Sequence, residues 1–411
     1  MTGLRVGIDA RLRSGASGGV EQVVIGLADA LSRLAERDQS YLFVARPDSA
    51  GWIAPHLAGP CELMPTRLEY PGEPGLGRAI RGRLLLAPAI GGPRWLPRDD
   101  GTLARGGVEL MHFTTQEAFL CDVPSIYTPH DLQHLHLPEL FGARERARRE
   151  IVYRTHCERA AMVIAMTSWG KRDLIESYGL ASEKVRVVPW GAVLGAYPEP
   201  SEVERQRMRS ELGLPERFLL YPAGTWPHKN HHALVDALAL LRDREGEEVF
   251  VVCPGGPNRY TEDVKAHAAA RGLGAAVLFP GFVEPATLRA LYSLAIGLVY
   301  PSLFEGFGLP VCEAFAAGLP VASSNATSLP DLVGDAGLLF DPSDPEDIAA
   351  RVHELWSDSG LRMRLAMAGV ERARLFTFER TAELLRAHYR RLAGVALTEH
   401  DRMLLGSPPP V

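Results

Sequence analysis

The sequence predicts a two-domain parallel α/β architecture, on three observations. Short apolar, β-branched-rich runs alternate with helix-length periodic segments almost throughout. At 411 residues the chain exceeds one ordinary core, and two domains of roughly 150–200 residues are the natural division. The alternation breaks near the middle, where Trp190–Pro215 is rich in Gly, Pro and charge.

In chain order, Leu4–Asp9 reads as the first strand and Arg11–Gly19 as a Gly/Ser loop. Val20–Leu34 carries Val23, Val24, Leu27, Leu31 and Leu34 at helical spacing. Tyr41–Ala45 is a second strand. From Pro65 to Gly107 the pattern dissolves into Gly, Pro and Arg around one apolar island, Leu84–Ile90. Strands return at Glu109–Phe113, Ser125–Thr128 and Met162–Met166, with a helix around Arg144–Ala161. A boundary follows Val185–Pro189, and a helical piece lies near Glu202–Leu212. The second series has strands at Phe218–Ala223, Val249–Cys253, Val277–Pro280, Ile296–Tyr300 and Pro320–Ser323. Its helices are Asn230–Arg242, Thr261–Arg271, Pro285–Ala295, one after Pro310, Pro345–Ser357 and Gly360–Leu375. The domains expected are therefore 1–190 and 191–375, with a long helix in 376–396 and an unstructured tail, 397–411, ending in SPPPV. No repeat of 20–50 residues is visible.

The apolar fraction is 46%, the charged fraction 23% and the net charge −6, values of an ordinary globular protein without the basic excess that nucleic acid requires. The five cysteines are scattered, odd in number and form no C-x-x-C, as expected of thiols in a reducing compartment rather than of a disulfide framework or zinc site. Arg5, Asp9 and Arg11 interrupt the N-terminus, so no signal peptide is expected, and no window is apolar enough to span a membrane. The expected location is the cytoplasm.

The most informative stretch is AIGLVYPSLFEGFGLPVCEAFAAGLPV, Ala295 to Val321. A buried strand is ended by Pro301 and Ser302, Pro310 suits a first helical turn, and Gly318-Leu319-Pro320 closes the helix. Between them lie Glu305-Gly306-Phe307-Gly308, with Glu313 expected in the helix's first turn. A strand, glycine loop and helix bring free N–H groups and a positive helix end together, which suits a phosphate. A carboxylate on either side suits sugar hydroxyls beside it. A first-turn Glu has a structural excuse in the helix dipole, whereas Glu305 in a loop leaving a buried strand needs partners.

With its flanks, this stretch resembles the C-terminal signature of family-4 retaining glycosyltransferases, which have the GT-B fold: two Rossmann-like domains facing across a cleft. The resemblance implies that Glu305 binds hydroxyls of a donor sugar and Glu313 the nucleotide ribose. It places the backbone of Gly306, Phe307, Gly308 and Leu309 on sugar and diphosphate. It covers nearly the whole second domain, and in the first domain the glycine loop, His130 and the strand–helix rhythm.

LLYPAGTWPHKNHHALVDALALL is a second strand–glycine–helix unit, with Asn230 as expected N-cap and Lys229 just ahead of the helix. On these residues alone, Lys229 is equally a phosphate ligand or a solvated lysine beside a cap; the resemblance to the family's G…KN segment makes it a diphosphate contact. Gly224 begins that loop, and Thr225 and Trp226 stand where many relatives carry an arginine, with His228 as partial replacement. Gly281, Phe282 and Val283 resemble the segment that holds the nucleotide base by backbone groups, although a plain turn reads almost as well. In the first domain Gly15, Gly18 and Gly19 resemble the loop facing donor phosphate and acceptor; it is not a G-x-G-x-x-G. Thr128-Pro129-His130-Asp131-Leu132, with His134 and His136, resembles a subset of bacterial mannosyltransferases, and the resemblance puts His130 at the reaction centre. The histidines lack accompanying carboxylates or thiols at ligand spacing, so no metal site is expected.

The reaction expected is retaining transfer of a hexose from a nucleotide-diphospho sugar, GDP-mannose favoured, to a hydroxyl of a glycan, lipid-linked or small-molecule acceptor. The nucleotide sugar is a co-substrate, and no cofactor or metal is expected. The catalytic set is His130, Glu305 and Lys229. Two alternatives stay open: a non-transferring nucleotide-sugar enzyme, epimerase-like, and an inactive sugar-nucleotide-binding protein. Residues 67–105 hold more arginine than acid, with Leu84–Ile90 and Trp95 among them. This suits either a reversible contact with the inner face of the cell membrane or a loop closing over a soluble acceptor.

Overall fold

A computed structural model of the protein describes residues 3–12, 19–34, 38–68, 82–87, 92–193, 198–409 and 411. Gly15, Gly18, Arg78 and Arg81 lie outside the described residues, as does the apolar island after Ala87. The chain divides into two compact units, residues 1–191 with 378–411 and residues 192–377.

In the first unit, seven parallel strands are described: β1 (Leu4–Asp9), β2 (Gln39–Ala45), β3 (Cys61–Pro65), β4 (Leu110–Phe113), β5 (Ser125–Tyr127), β6 (Met162–Ala165) and β7 (Val185–Val187). Their order is β3-β2-β1-β4-β5-β6-β7. β4 and β6 are buried along their whole length, as strands covered by helices on both faces must be. The helix Gly19–Arg33 buries Val23, Val24, Leu27 and Leu31. β3 and β7 and the helix Ser168–Tyr178 are absent from the sequence-based expectation. CELMP and VRV are too short and too polar for a clear strand signal.

The helix Phe378–Leu392 belongs to this unit, and Gly26 is what admits it. A Cβ at Gly26 would stand 2.4 Å from the Phe378 ring. The tail expected to be unstructured instead forms the helix Glu399–Gly406. The reason is a capping box: Thr398 accepts from the Asp401 amide and Asp401 from the Thr398 amide. The same buried Asp401 carboxylate takes Arg386 at 3.2 Å and also Arg390, which reaches Asp38 at 2.5 Å. In the arginine-rich stretch, Leu85 and Leu96 are buried in the unit's own core and Trp95 packs against it. Leu84 and Leu86 beside them are half-buried. Among the described residues no helix is long and apolar enough to cross a membrane.

The second unit's described strands are β8 (Leu219–Leu220), β9 (Val251–Pro254), β10 (Val277–Gly281), β11 (Gly297–Tyr300), β12 (Val321–Ser324) and β13 (Leu338–Phe340), all parallel, in the order β10-β9-β8-β11-β12-β13. The chain winds outward one way from β8 through β9 to β10, then returns to the centre and winds the other way from β11. β8 and β11 are thus adjacent strands whose following loops part in opposite directions. Such a switch point leaves a crevice at the carboxyl ends of the two strands, where parallel sheets bind ligands.

Candidate functional site

The loops after β8 and β11 carry Lys229 and Glu305, and they meet at that switch point. Lys229 lies on the one-turn helix Pro227–Lys229 and donates from Nζ to Glu305 Oε1 at 2.5 Å. The ammonium also stands 3.3 Å from the Tyr300 hydroxyl and 5.6 Å from its ring centre. Ser302 Oγ and Tyr300 OH donate to the same carboxylate oxygen at 2.6 and 3.0 Å. Three donors converge on Oε1, and Oε2 receives none from the described residues. Burial pushes the Glu305 carboxyl up, but the Lys229 ammonium and the hydrogen bonds from Lys229 and Ser302 hold it below its ordinary value. Glu305 is therefore an oriented carboxylate with one oxygen fixed and one available.

The backbone after Glu305 is shaped for an anion. Thr327 and Ser328 donate to the Glu305 carbonyl at 3.0 and 2.9 Å, and Ser328 also to the Phe307 carbonyl at 3.2 Å. The carbonyls are thus held from behind. The N–H groups of Gly306, Phe307, Gly308 and Leu309 have no acceptor among the described residues, and they lead into the helix Leu309–Ala316. Gly308 has φ 106°, and a Cβ there would stand 2.8 Å from Leu329. Only glycine holds this turn without strain.

Glu313 lies in the second turn of that helix rather than the first, and the dipole does not explain it. It is buried, its Oε2 accepts from the Tyr292 hydroxyl at 2.8 Å, and burial pushes its carboxyl up to about 7 against that one hydrogen bond. A carboxyl so poorly solvated is ready to accept hydroxyls that would stabilise its charge.

Asn230 does not cap its helix. It adopts a left-handed conformation, φ 60°, and its Nδ2 donates to the carbonyls of Pro301 and Pro342, at 3.1 and 2.7 Å. It therefore ties the Lys229 loop to the loops after β11 and β13. The Lys229 carbonyl is held by the Tyr221 hydroxyl, and the His228 carbonyl by the Leu303 amide at 2.7 Å. Burial, then Lys229, lowers the His228 imidazole to about 4, so it is neutral at pH 7. Thr225 turns its hydroxyl to Thr261 and Asn258, at 2.8 and 3.1 Å, inside the unit. Gly224 lies beside Gly256, and Gly255 donates its N–H to the Gly281 carbonyl at 2.9 Å, so the turns after β8, β9 and β10 adjoin. A Cβ at Gly255 would stand 2.6 Å from the Ala223 carbonyl oxygen. Phe282 is 62% exposed beside them, and Val283 is half-buried.

In the first unit, His130 follows β5 with a left-handed φ of 65°. Its Nε2 lies 2.7 Å from the Thr114 carbonyl at the end of β4, so Nε2 carries the hydrogen and Nδ1 the lone pair. Burial lowers its imidazole below the ordinary value, offset by the Thr114 bond and Asp131. The other histidines diverge: His134 contacts Glu150 and His136 contacts Asp173. Gly19 opens the first helix, and the rest of its loop lies outside the described residues.

The sequence reading missed Tyr300, Ser302, Tyr292, Thr327 and Ser328. Tyr300 and Ser302 flank the glycine loop and could have been found there. Thr327 and Ser328 act from 22 and 23 residues away, which no local pattern reveals.

Residues 17–194 match the family described as Glycosyltransferase Family 4, and residues 202–372 the family of glycosyl transferases group 1. The D-inositol 3-phosphate glycosyltransferase of Corynebacterium jeikeium is 31% identical over 285 residues, covering 66% of this chain and 68% of that protein. The O-antigen chain mannosyltransferase B of Escherichia coli is 28% identical over 258 residues, covering 62% and 67%. The crystal structure of Anabaena HepE in complex with UDP and glucose aligns with TM-score 0.69 at 20% identity, over 94% of this chain and 100% of that one. At that identity the likeness shows a shared fold.

Proposed function

The chain belongs to the family-4 glycosyltransferases, with the GT-B fold, and from that premise we propose that it moves mannose from GDP-mannose to a saccharide hydroxyl with retention at the anomeric carbon. The observation that carries the reading is the pairing of Lys229 and Glu305 beside free loop amides at the β8–β11 switch point. In this reading the amides of residues 306–309 and the Lys229 ammonium hold the diphosphate. Both stabilise the charge that grows on the leaving phosphate as the glycosidic bond breaks. Glu305 Oε2 accepts a hydroxyl of the transferred sugar, and Glu313 accepts the ribose hydroxyls. Gly281, Phe282 and Val283 border the base. His130, with its lone pair on Nδ1, stays in the proposed catalytic set on the family resemblance alone. No residue takes the part of nucleophile. The acceptor proton leaves to a phosphate oxygen on the same face as the departing diphosphate, and the chemistry requires no metal. Mannose is favoured by the likeness to the O-antigen chain mannosyltransferase B, and a saccharide acceptor by the same relative.

The test is incubation of the protein with GDP-mannose, UDP-glucose, UDP-galactose and dTDP-glucose and a panel of methyl glycosides, with products read by NMR. Transfer or slow hydrolysis from GDP-mannose, giving an α-anomeric product, is the expected result. Free isomerised sugar would instead make the protein an epimerase-like enzyme, and turnover from a UDP sugar alone would overturn the choice of donor.

A further inference from the structure

Trp226 takes no part in the machinery described so far, yet it sits three residues before Lys229 on the same loop and is 47% exposed. Its position is fixed at both backbone ends: its N–H donates to the Gly224 carbonyl at 2.8 Å, and its carbonyl accepts from the Lys229 amide at 2.8 Å. The indole lies along the bare backbone of Gly224, with Cδ1 and Nε1 at 3.5 and 3.6 Å from where a Cβ would be. A Cβ at 224 would meet it at ordinary van der Waals distance. The Tyr260 ring meets it edge-on at a centroid distance of 6.0 Å. Tyr260 is itself held by Arg259, whose guanidinium carbon lies 4.8 Å from the ring centre and whose Nη2 donates to the hydroxyl at 2.6 Å. The indole N–H has no acceptor among the described residues and is not buried. A large aromatic surface is thus immobilised in water, its N–H available, beside an exposed guanidinium. Holding it there forgoes the stabilisation that burying an indole would bring.

We propose that Trp226 is the platform for a pyranose ring of the acceptor, with Tyr260 and Arg259 as its support. One face of a pyranose presents a row of C–H groups whose slight positive charge meets the negative face of an indole. The hydroxyls around that ring edge are partners for the indole N–H and the Arg259 guanidinium. A nucleobase would stack on an indole too, but the reading above puts the base beside the turn after β10, at Gly281–Val283. The proposal rests on the functional reading for the placement of the donor and for the saccharide class of the acceptor, and adds to it the residue that holds the acceptor ring, by stacking.

The experiment uses the full chain saturated with GDP, titrated by NMR with methyl α-D-mannopyranoside, α-1,3-mannobiose and maltose, with the indole N–H of Trp226 assigned by its loss in Trp226→Phe. Saturable binding of at least one saccharide that shifts this resonance is expected. Trp226→Ala should weaken that binding about tenfold, the size of one aromatic contact of ~1.4 kcal/mol. Trp226→Tyr should stay within about threefold of the native protein, and the GDP affinity of both variants within about twofold. Loss of GDP affinity in Trp226→Ala would make the indole a nucleobase platform and overturn the proposal. So would saccharide binding unchanged in Trp226→Ala, or no binding of any of the three by the native protein. Failure of the native chain to bind GDP would strike the functional reading instead, since saccharide binding is read separately.

Discussion

Glu305 and Glu313 are both buried carboxyls of one loop and helix, and their surroundings give them opposite protonation behaviour. Glu305 is held ionised by Lys229, whereas Glu313 has one tyrosine hydroxyl against full burial. Glu305→Ala should therefore lower turnover ~100-fold or more while leaving GDP affinity within about threefold, because its proposed ligand is the sugar. Glu313→Ala should weaken GDP itself about tenfold; equal losses of GDP affinity in both variants would contradict the division. Glu313 also carries a pH signature. Its carboxyl is raised in the folded protein, so its contribution to stability is present below the unfolded value and is lost as pH rises through about 7. Ribose hydroxyls donating to it favour the charged form, so GDP binding near pH 7 should release roughly half a proton, read by calorimetry in buffers of different ionisation enthalpy. Glu313→Gln should abolish that release. Proton uptake, or a release unchanged in Glu313→Gln, would remove Glu313 from the ribose. That two carboxylates flank a glycine loop was legible in the sequence, and their proposed roles came from the family resemblance. Their different charge states were not, because these depend on Tyr292, Ser302 and Lys229 arriving from other elements.

At the scale of elements, the strand–glycine–helix units were plain in the sequence because period, proline and glycine agree in them. The fastenings between units were not. Asn230 stands in an N-cap position by pattern, yet its side chain is committed to Pro301 and Pro342, 71 and 112 residues away. Asn230→Ala loses both bonds and adds the left-handed backbone penalty, for roughly 2–4 kcal/mol in all. Asn230→Gly loses only the bonds, roughly 1–2 kcal/mol. Urea midpoints should rank native, then glycine, then alanine, and an alanine variant as stable as the glycine one would refute the strained-staple account. The capping box at Thr398 was readable as Thr-x-x-Asp, but the proline-rich ending beside it suggested an unstructured tail. The second partner of that box is the buried pair Arg386 and Arg390, visible only once the helices pack.

For the whole molecule, alternation and length announced two parallel α/β units. Strand order did not follow from them, and it is strand order that puts the Lys229 and Glu305 loops side by side. The first unit is completed by the chain's last segment, so its stability depends on residues 378–411. Asp401→Ala removes the carboxylate that the buried Arg386 and Arg390 share, leaving Arg390 with Asp38, and should destabilise the protein by about 3 kcal/mol. Its GDP affinity should stay within about twofold, because the proposed diphosphate site is built in the other unit.

The central claim is that the β8–β11 switch point binds a nucleoside diphosphate through Lys229 and the free amides of the glycine loop. Its most direct test is thermal melting of the native protein and of Lys229→Ala in GDP, UDP, dTDP and ADP. GDP at about a hundred times its dissociation constant should stabilise the native protein by about 2.7 kcal/mol, a rise of a few degrees, and the rise should fall by at least half in Lys229→Ala at the same concentration. No rise with any of the four nucleotides, or a rise undiminished in Lys229→Ala, would contradict the account.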